Sequence, residues 1–195
     1  MEPSELKFDK QLSYILVGNG PSLLLKEWGE KIDKFDHVIR FNRYKIEGFE
    51  KYVGTKTTIW STFGKDERPS DEFSRPNNII YIHGERGNPA YIPEQIIRIP
   101  LSYYNQLRKK LQDETLLKDK VNHLIPSSGV LVISWLLDYF LDEVTIVGFD
   151  NFSQDIGSTH HYWNTRNFTK PREHDGEWEY KKMLQYKKQG KINVL

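Results

Sequence analysis

Short apolar runs alternate with longer amphipathic segments along this chain, and the alternation predicts an α/β fold. Runs rich in β-branched, aromatic or other apolar side chains predict strands at residues 14–17, 37–42, 57–61, 78–83, 96–99, 121–125, 143–148 and 192–195. Segments with apolar side chains at helical spacing predict helices at residues 23–30, 101–120, 130–141 and 173–189. Strands that alternate with helices favour a mainly parallel central sheet with helices on both faces. We therefore predict a single Rossmann-like α/β domain over residues 1–195.

The composition fits this fold class and argues against several kinds of protein. Of the 195 residues, 37% are hydrophobic and 13% aromatic, which excludes wholesale disorder and allows a substantial core. The net charge of +1 gives no electrostatic reason to expect a nucleic-acid partner. The chain has no cysteine, so disulfides, thiolate zinc sites and cysteine nucleophiles are excluded.

The chain shows no targeting signal. Its first residues are polar and acidic, unlike a signal peptide. The longest apolar stretch, residues 130–141, is too short to span a bilayer. These features predict a cytoplasmic protein with at most peripheral contact with a membrane.

A glycine-containing turn follows the first predicted strand and could hold a ligand. Its polar and glycine positions are Gly18, Asn19, Gly20 and Ser22. Ligands of open α/β sheets bind beyond the carboxyl ends of the strands, and glycines let the backbone approach them closely. The turn lacks both the third glycine of the dinucleotide fingerprint and the P-loop ending. An ordinary strand-to-helix turn therefore remains an alternative.

Two further polar sites have the same character. Asn42 ends the second predicted strand and could present its amide to a phosphate or a ribose. Ser127, Ser128 and Gly129 precede an apolar helix, where hydroxyls and exposed amides can form a cradle for an anion. Simple helix capping is the alternative, but two such turns in one small sheet favour nucleotide binding.

The candidate catalytic groups lie near the C-terminus. His161 falls in a polar loop next to His160, and His174 is followed five residues later by Glu179. Zinc is disfavoured because these histidines form no His-x-x-x-His pair. A DxD pair that could hold a divalent cation is also missing, so we predict no metal site. Acid–base chemistry or a structural role remains for the histidines.

Taken in order, these segments resemble the sialyltransferases of glycosyltransferase family 29, with kinship to the bacterial enzymes of family 42. Residues 17–23, 38–42 and 53–58 are similar to the large sialylmotif, and residues 126–129 through 142–149 to the small sialylmotif. Residues 161–164 (HYWN) are similar to motif III, and His174 with Glu179 matches the His-x4-Glu of the very small motif.

The resemblance implies an inverting, metal-independent transfer of an acidic sugar from a CMP-sugar to a glycan or glycolipid hydroxyl. It implies that Asn19 and Asn42 contact the phosphate and ribose of the donor. The turn of Ser127, Ser128 and Gly129 would contact cytidine or the sugar carboxylate. The same resemblance makes His161 the group that stabilises the departing phosphate and His174 the base that deprotonates the acceptor.

The chain departs from the animal members of the family, because the cysteine pair that joins their large and small motifs is absent. The first turn is closer to the bacterial form, so we predict a bacterial enzyme that decorates a surface polysaccharide or lipooligosaccharide. The donor could be CMP-sialic acid or CMP-Kdo. A CMP-sugar hydrolase and a non-catalytic nucleotide- or glycan-binding module remain alternatives.

Overall fold

The computed structural model describes residues 4–63, 76–82, 93–150, 161–163 and 173–195. Within them, eight strands form one sheet in which every pairing is parallel. The strands are β1 Ser4–Glu5, β2 Tyr14–Val17, β3 His37–Phe41, β4 Ile59–Thr62, β5 Asn78–Tyr81, β6 Gln95–Arg98, β7 Val144–Val147 and β8 Ile192–Val194. Their order across the sheet is β1-β6-β5-β4-β3-β2-β7-β8.

Helices cover both faces of the sheet, as the sequence predicts. The α-helices are α1 Gly29–Ile32, α2 Glu50–Val53, α3 Leu101–Glu114, α4 Ser128–Tyr139 and α5 Gly176–Lys188, and 3-10 helices span Pro21–Leu25 and Lys118–His123. One core lies between the sheet and α3, α4 and α5, and a second lies under α1 and α2. The α4 helix is apolar on nearly all sides because it is buried along most of its length.

The strand order reverses between β2 and β7. From β2 the chain builds β3 to β6 on one side, whereas β7 and β8 pair on the other side. In open α/β sheets, ligands bind in the crevice at such a switch point, beyond the carboxyl ends of the strands. The fold therefore marks the ends of β2 and β7 as the place to look for a site.

Two predicted elements between residues 101 and 125 differ from the structure. The predicted strand at 121–125 is wrong, because residues Lys118–His123 form a 3-10 helix whose side chains are mostly exposed. The predicted helix at 101–120 ends at Glu114. The hydroxyl of Thr115 donates to Asp175 at 2.5 Å and accepts from the amide of Leu117, which turns the chain away from the helix axis.

The helix predicted at 23–30 divides into the 3-10 helix Pro21–Leu25 and the short helix α1. Lys26 between them has extended backbone, with φ −147° and ψ 156°. Strand β1 and helix α2, which the sequence analysis did not predict, are both short. Strand β1 contributes two residues to the edge of the sheet, so it has too little length for a visible apolar period.

Candidate active site

The turn after β2 is packed tightly against the end of β7. The amide of Gly18 donates to the carbonyl of Val147 at 2.8 Å, and the amide of Gly20 donates to the carbonyl of Gly148 at 2.9 Å. A Cβ at Gly18 would lie 2.2 Å from the carbonyl oxygen of Gly148, so only glycine fits. The glycines of this turn therefore serve close packing between two strand ends.

A carboxylate of the chain itself occupies the helix start after this turn. The amide of Ser22 donates to Asp150 at 3.0 Å, and the hydroxyl of Ser22 donates to the other oxygen of the same carboxylate. The amides at a helix start attract an anion, and here Asp150 supplies one. The structure thus assigns Ser22 to holding Asp150, a residue that the sequence analysis did not single out.

The turn before α4 is held by a different set of groups. Ser127 caps the helix, because its side chain accepts from the amide of Val130 at 3.4 Å. Glu179 accepts from both the amide and the hydroxyl of Ser127, each at 2.7 Å. No hydrogen bond joins the amides of Ser128 and Gly129 to any other residue that the structure describes. Two donors at the start of a 12-residue helix are therefore available to an oxygen of a ligand.

The predicted catalytic residues at the C-terminus bracket this second turn. Nδ1 of His174 lies 2.9 Å from the carbonyl oxygen of Ile125, and the amide of Ile125 donates to the carbonyl of Glu173 at 2.8 Å. The carboxylate of Glu179 contacts Ser127, two residues after Ile125. His174 and Glu179 thus hold the two ends of the segment 125–127, His174 through Ile125 and Glu179 through Ser127.

Burial changes the chemistry of Glu179. The residue is 2% exposed, and desolvation raises the pKa of its carboxyl to about 7. The hydrogen bonds from Ser127 oppose this shift, and the charge of Asp175 adds to it. Asp175 is itself buried as the N-cap of α5, where it accepts from the amides of Glu177 and Trp178.

Asparagine side chains join the two turns across the ends of β2 and β3. Nδ2 of Asn42 lies 3.2 Å from Oγ of Ser128, and Nδ2 of Asn19 donates to the carbonyl of Phe41 at 3.1 Å. Asn42 has φ +49°, a left-handed conformation that asparagine tolerates better than most residues. The Oδ1 atoms of Asn19 and Asn42 are buried and make no hydrogen bond within the described structure.

Phe149 is a further residue of this site to which the sequence analysis gave no role. A Cβ at Gly129 would lie 2.5 Å from Cε1 of this ring, and one at Gly18 would lie 3.3 Å from Cδ2. Phe149 also packs edge-on against Phe41, with ring centroids 5.6 Å apart. One side chain therefore lies against both turns, so the two turns share one edge of the sheet.

Tyr162 anchors the segment that carries His161. The amide of Tyr162 donates to the carbonyl of Asn19 at 2.9 Å, and its hydroxyl exchanges hydrogen bonds with the backbone of Lys45. His161 stacks on Trp163 with ring centroids 5.0 Å apart and an interplanar angle of 13°. His161 is thus tied to the first turn and His174 to the second.

The sequence analysis also concerned His160, a metal site and contact with a membrane. His160 and most of residues 84–93 and 151–170 lie outside the described residues. Within the described ranges, no group of three or more His, Asp or Glu side chains could hold a metal ion. The helices of those ranges include none long and apolar enough to cross a membrane.

The family model of glycosyltransferase family 29 (sialyltransferase) matches residues 3–65 and 73–191. The chain belongs to this family. Family 29 membership confirms the resemblance inferred from the four motifs.

Individual relatives agree with this assignment. A β-galactosamide α-2,3-sialyltransferase 1 of Sus scrofa is 29% identical over 84% of this chain and 52% of its own length. A β-1,4-galactoside α-2,3-sialyltransferase of Homo sapiens is 47% identical over 34% of this chain and 18% of its own length. The chain thus spans about half the length of the first of these relatives. Both are animal proteins, and the bacterial kinship stays a prediction.

The fold is also that of a solved sialyltransferase structure. A crystal structure of a mammalian sialyltransferase superposes with a TM-score of 0.66 at 22% identity, over 94% of this chain and 68% of the other. A similar match is a mammalian sialyltransferase in complex with Gal-β-1-3GalNAc-ortho-nitrophenol. These matches confirm the α/β architecture with its parallel sheet.

Proposed function

We propose that this chain transfers a sialic acid from CMP-sialic acid to a hydroxyl of a glycan, with inversion at the anomeric carbon. The observation that carries the proposal is the contact of Asn42 with Ser128 at 3.2 Å, because it brings the large and small motifs of a family 29 chain together at the switch point of the sheet. His174 is attached to the same turn. The groups needed for donor binding and proton removal therefore share one edge.

The hydrogen bond of His174 prepares its ring to act as the base. The carbonyl of Ile125 can only accept, so Nδ1 of His174 carries the proton and donates it. In the neutral ring, Nε2 then holds the lone pair. Nε2 would take the proton of the acceptor hydroxyl as its oxygen attacks the anomeric carbon. The bond from that carbon to the CMP phosphate breaks, and His161 would stabilise the departing phosphate.

The donor would be held by amides and by asparagine oxygens. The amides of Ser128 and Gly129 supply two donors for an oxygen of the CMP-sugar. The buried Oδ1 atoms of Asn19 and Asn42 can only accept, so they suit hydroxyl groups of a ribose or a sugar. A buried acceptor without a partner costs about 1–3 kcal/mol, and a polyhydroxylated ligand would remove that cost.

The acceptor and the biological setting belong to the same proposal. The names of two relatives specify a β-galactosamide and a β-1,4-galactoside, and one solved structure is a complex with Gal-β-1-3GalNAc-ortho-nitrophenol. A galactose-terminated glycan is therefore the first acceptor to test. We include in the proposal a metal-independent reaction, a cytoplasmic location and a role in bacterial surface glycans. CMP-Kdo is the alternative donor.

The test is transfer measured with both donors. The protein is incubated with CMP-sialic acid or CMP-Kdo and a Gal-β-1-3GalNAc aryl glycoside, with and without EDTA, and both CMP and glycoside product are measured. Acceptor-dependent product that survives EDTA supports the proposal. CMP release that does not depend on the acceptor indicates a hydrolase. CMP binding without turnover on a range of glycans indicates a binding module.

A further inference from the structure

A second concave surface adjoins the candidate active site and shares Ser22, Phe149 and Asp150 with it. A groove of about 380 Å³ runs between α5, strands β7 and β8, and the 3-10 helix Pro21–Leu25. We call it the α5 groove, and its lining includes Leu25, Lys26, Trp28, Tyr180, Val194 and Lys187. The groove meets the active-site edge at Gly148 and Asp150.

Three apolar side chains at the rim of the α5 groove are more than half exposed to solvent. Leu25 is 71% exposed, Val194 57% and Tyr180 54%. These residues come from three separate elements yet surround one groove. Clustered exposed apolar side chains mark interaction surfaces, whereas isolated ones need no explanation.

Two lysines line the α5 groove, Lys187 on α5 and Lys26 on the opposite wall. The one carboxylate among the described lining side chains, Asp150, accepts the hydrogen bonds of Ser22. The groove is therefore an apolar channel with a cationic rim.

We propose that the α5 groove docks on an anionic lipid bilayer, with Leu25, Tyr180 and Val194 entering the interface and the lysines meeting lipid phosphates. Apolar and aromatic side chains flanked by lysines are the combination that binds such interfaces. A protein partner fits less well, because protein interfaces favour arginine and are depleted in lysine. The cations that line this groove are lysines, with no arginine among its described lining residues.

Docking of this kind would bring the carboxyl edge of the sheet close to lipid-linked acceptors. That consequence rests on the proposed transferase function, whereas lipid binding itself does not. Vesicle binding is therefore measured without donor or acceptor, so a failure of one proposal is distinguishable from a failure of the other.

The experiment is vesicle sedimentation of the whole chain with phosphatidylcholine alone and with added phosphatidylglycerol. We expect binding only to the anionic vesicles, and weaker binding as salt is raised. The double variant Lys26→Glu/Lys187→Glu should reduce vesicle affinity by about 30-fold or more, since each lysine near such a surface contributes on the order of 1 kcal/mol. Leu25→Ser/Tyr180→Ser should weaken binding while its salt dependence persists.

The matched control is Lys10→Glu/Lys109→Glu, which makes the same charge change at exposed lysines outside the groove. It should bind anionic vesicles as the unchanged protein does. Equal loss in the control, or no binding to anionic vesicles, would overturn the proposal. Competition by millimolar inorganic phosphate would indicate a simple phosphate site instead. A concentration-dependent dimer that the groove variants abolish would assign the surface to a second copy of the chain.

Discussion

The turn after β2 and the turn before α4 have similar sequences, yet the protein uses them differently. At the first turn, Asp150 accepts the hydrogen bonds of Ser22, so the helix start is neutralised from within the chain. At the second turn, Glu179 grips Ser127 from outside the helix, while the amides of Ser128 and Gly129 have no partner among the described residues. We call the first turn closed, because Asp150 occupies its helix start. We call the second turn open, because two amides at its helix start have no partner among the described residues.

The two candidate histidines follow the same division. His161 belongs to a segment bonded to Asn19 of the first turn, and His174 is bonded to Ile125 of the second. An inverting transfer needs its base and its leaving group on opposite sides of the reacting carbon, so two histidines on two turns suit that requirement. The comparison predicts that changes at the second turn act on binding and chemistry, whereas most changes at the first act on stability.

The largest effect should come from the base. His174→Ala should lower turnover by roughly two to four orders of magnitude, the usual contribution of a general base. The dissociation constant of CMP should barely change, because Nε2 would face the acceptor. Calorimetry and initial rates on the same folded preparation check both values. His123→Ala, at an exposed histidine of a 3-10 helix, is the control. Full activity of folded His174→Ala would remove this residue from the mechanism.

Glu179 should make stability depend on pH. Its pKa of about 7 exceeds the ordinary value of 4.5, so between these values the folded state holds a proton that the unfolded state has lost. Unfolding then releases a proton, and stability falls as pH rises through this window, by on the order of 3 kcal/mol at most. Glu179→Gln should remove this decline.

Urea unfolding at pH 5 and pH 8 measures how far the stability of the unchanged protein and of Glu179→Gln falls with pH. The difference between them isolates Glu179 from His37, whose pKa is lowered mainly by burial and whose effect on stability has the opposite sign. Parallel pH profiles of the two proteins would show that Glu179 is ionised throughout this range.

The closed state of the first turn predicts a loss of stability when its carboxylate is removed. Asp150→Ala leaves the amide and hydroxyl of Ser22 without their acceptor and should cost about 2 kcal/mol. Asp142→Ala is the control, because its ion pair with Lys10 is exposed and should cost less than about 1 kcal/mol. Equal costs in urea unfolding would mean that Asp150 is not what closes the turn.

The sequence predicts the two turns well but not their different use. Their glycines and serines are local signals, and so are the strands that lead into the first turn and the helix that follows the second. The closure by Asp150 depends on a residue 128 positions away from Ser22, and the grip of Glu179 on Ser127 spans 52 positions. A carboxylate three residues after the end of β7 is the available signal for Asp150, but nothing local says which helix start it would meet.

The predicted strand at 121–125 fails for a related reason. Its apolar residues fit a strand, but the backbone there pairs with no strand of the described residues, and the amide of Ile125 instead donates to the carbonyl of Glu173. Tertiary contacts with the C-terminal segment decide its conformation, and they also place His174. The missing strand and the unpredicted bond from His174 to Ile125 are therefore two consequences of the same long-range contact.

The smallest expected effect, a change in CMP affinity, gives the most direct comparison of the two turns. Ser128→Ala keeps the backbone amide but removes the hydroxyl that holds the Asn42 side chain at the open turn. Oδ1 of Asn42 then loses its position toward the donor, so the dissociation constant of CMP should rise about tenfold, the value of one hydrogen bond of about 1.4 kcal/mol. Ser22→Ala removes a hydroxyl that bonds Asp150 at the closed turn, so CMP affinity should stay unchanged while unfolding becomes easier. Calorimetry with CMP and urea unfolding on both variants give the four values needed. The reverse outcome, with weaker CMP binding in Ser22→Ala and none lost in Ser128→Ala, would show that the first turn holds the nucleotide and that Asp150 yields its place to the donor.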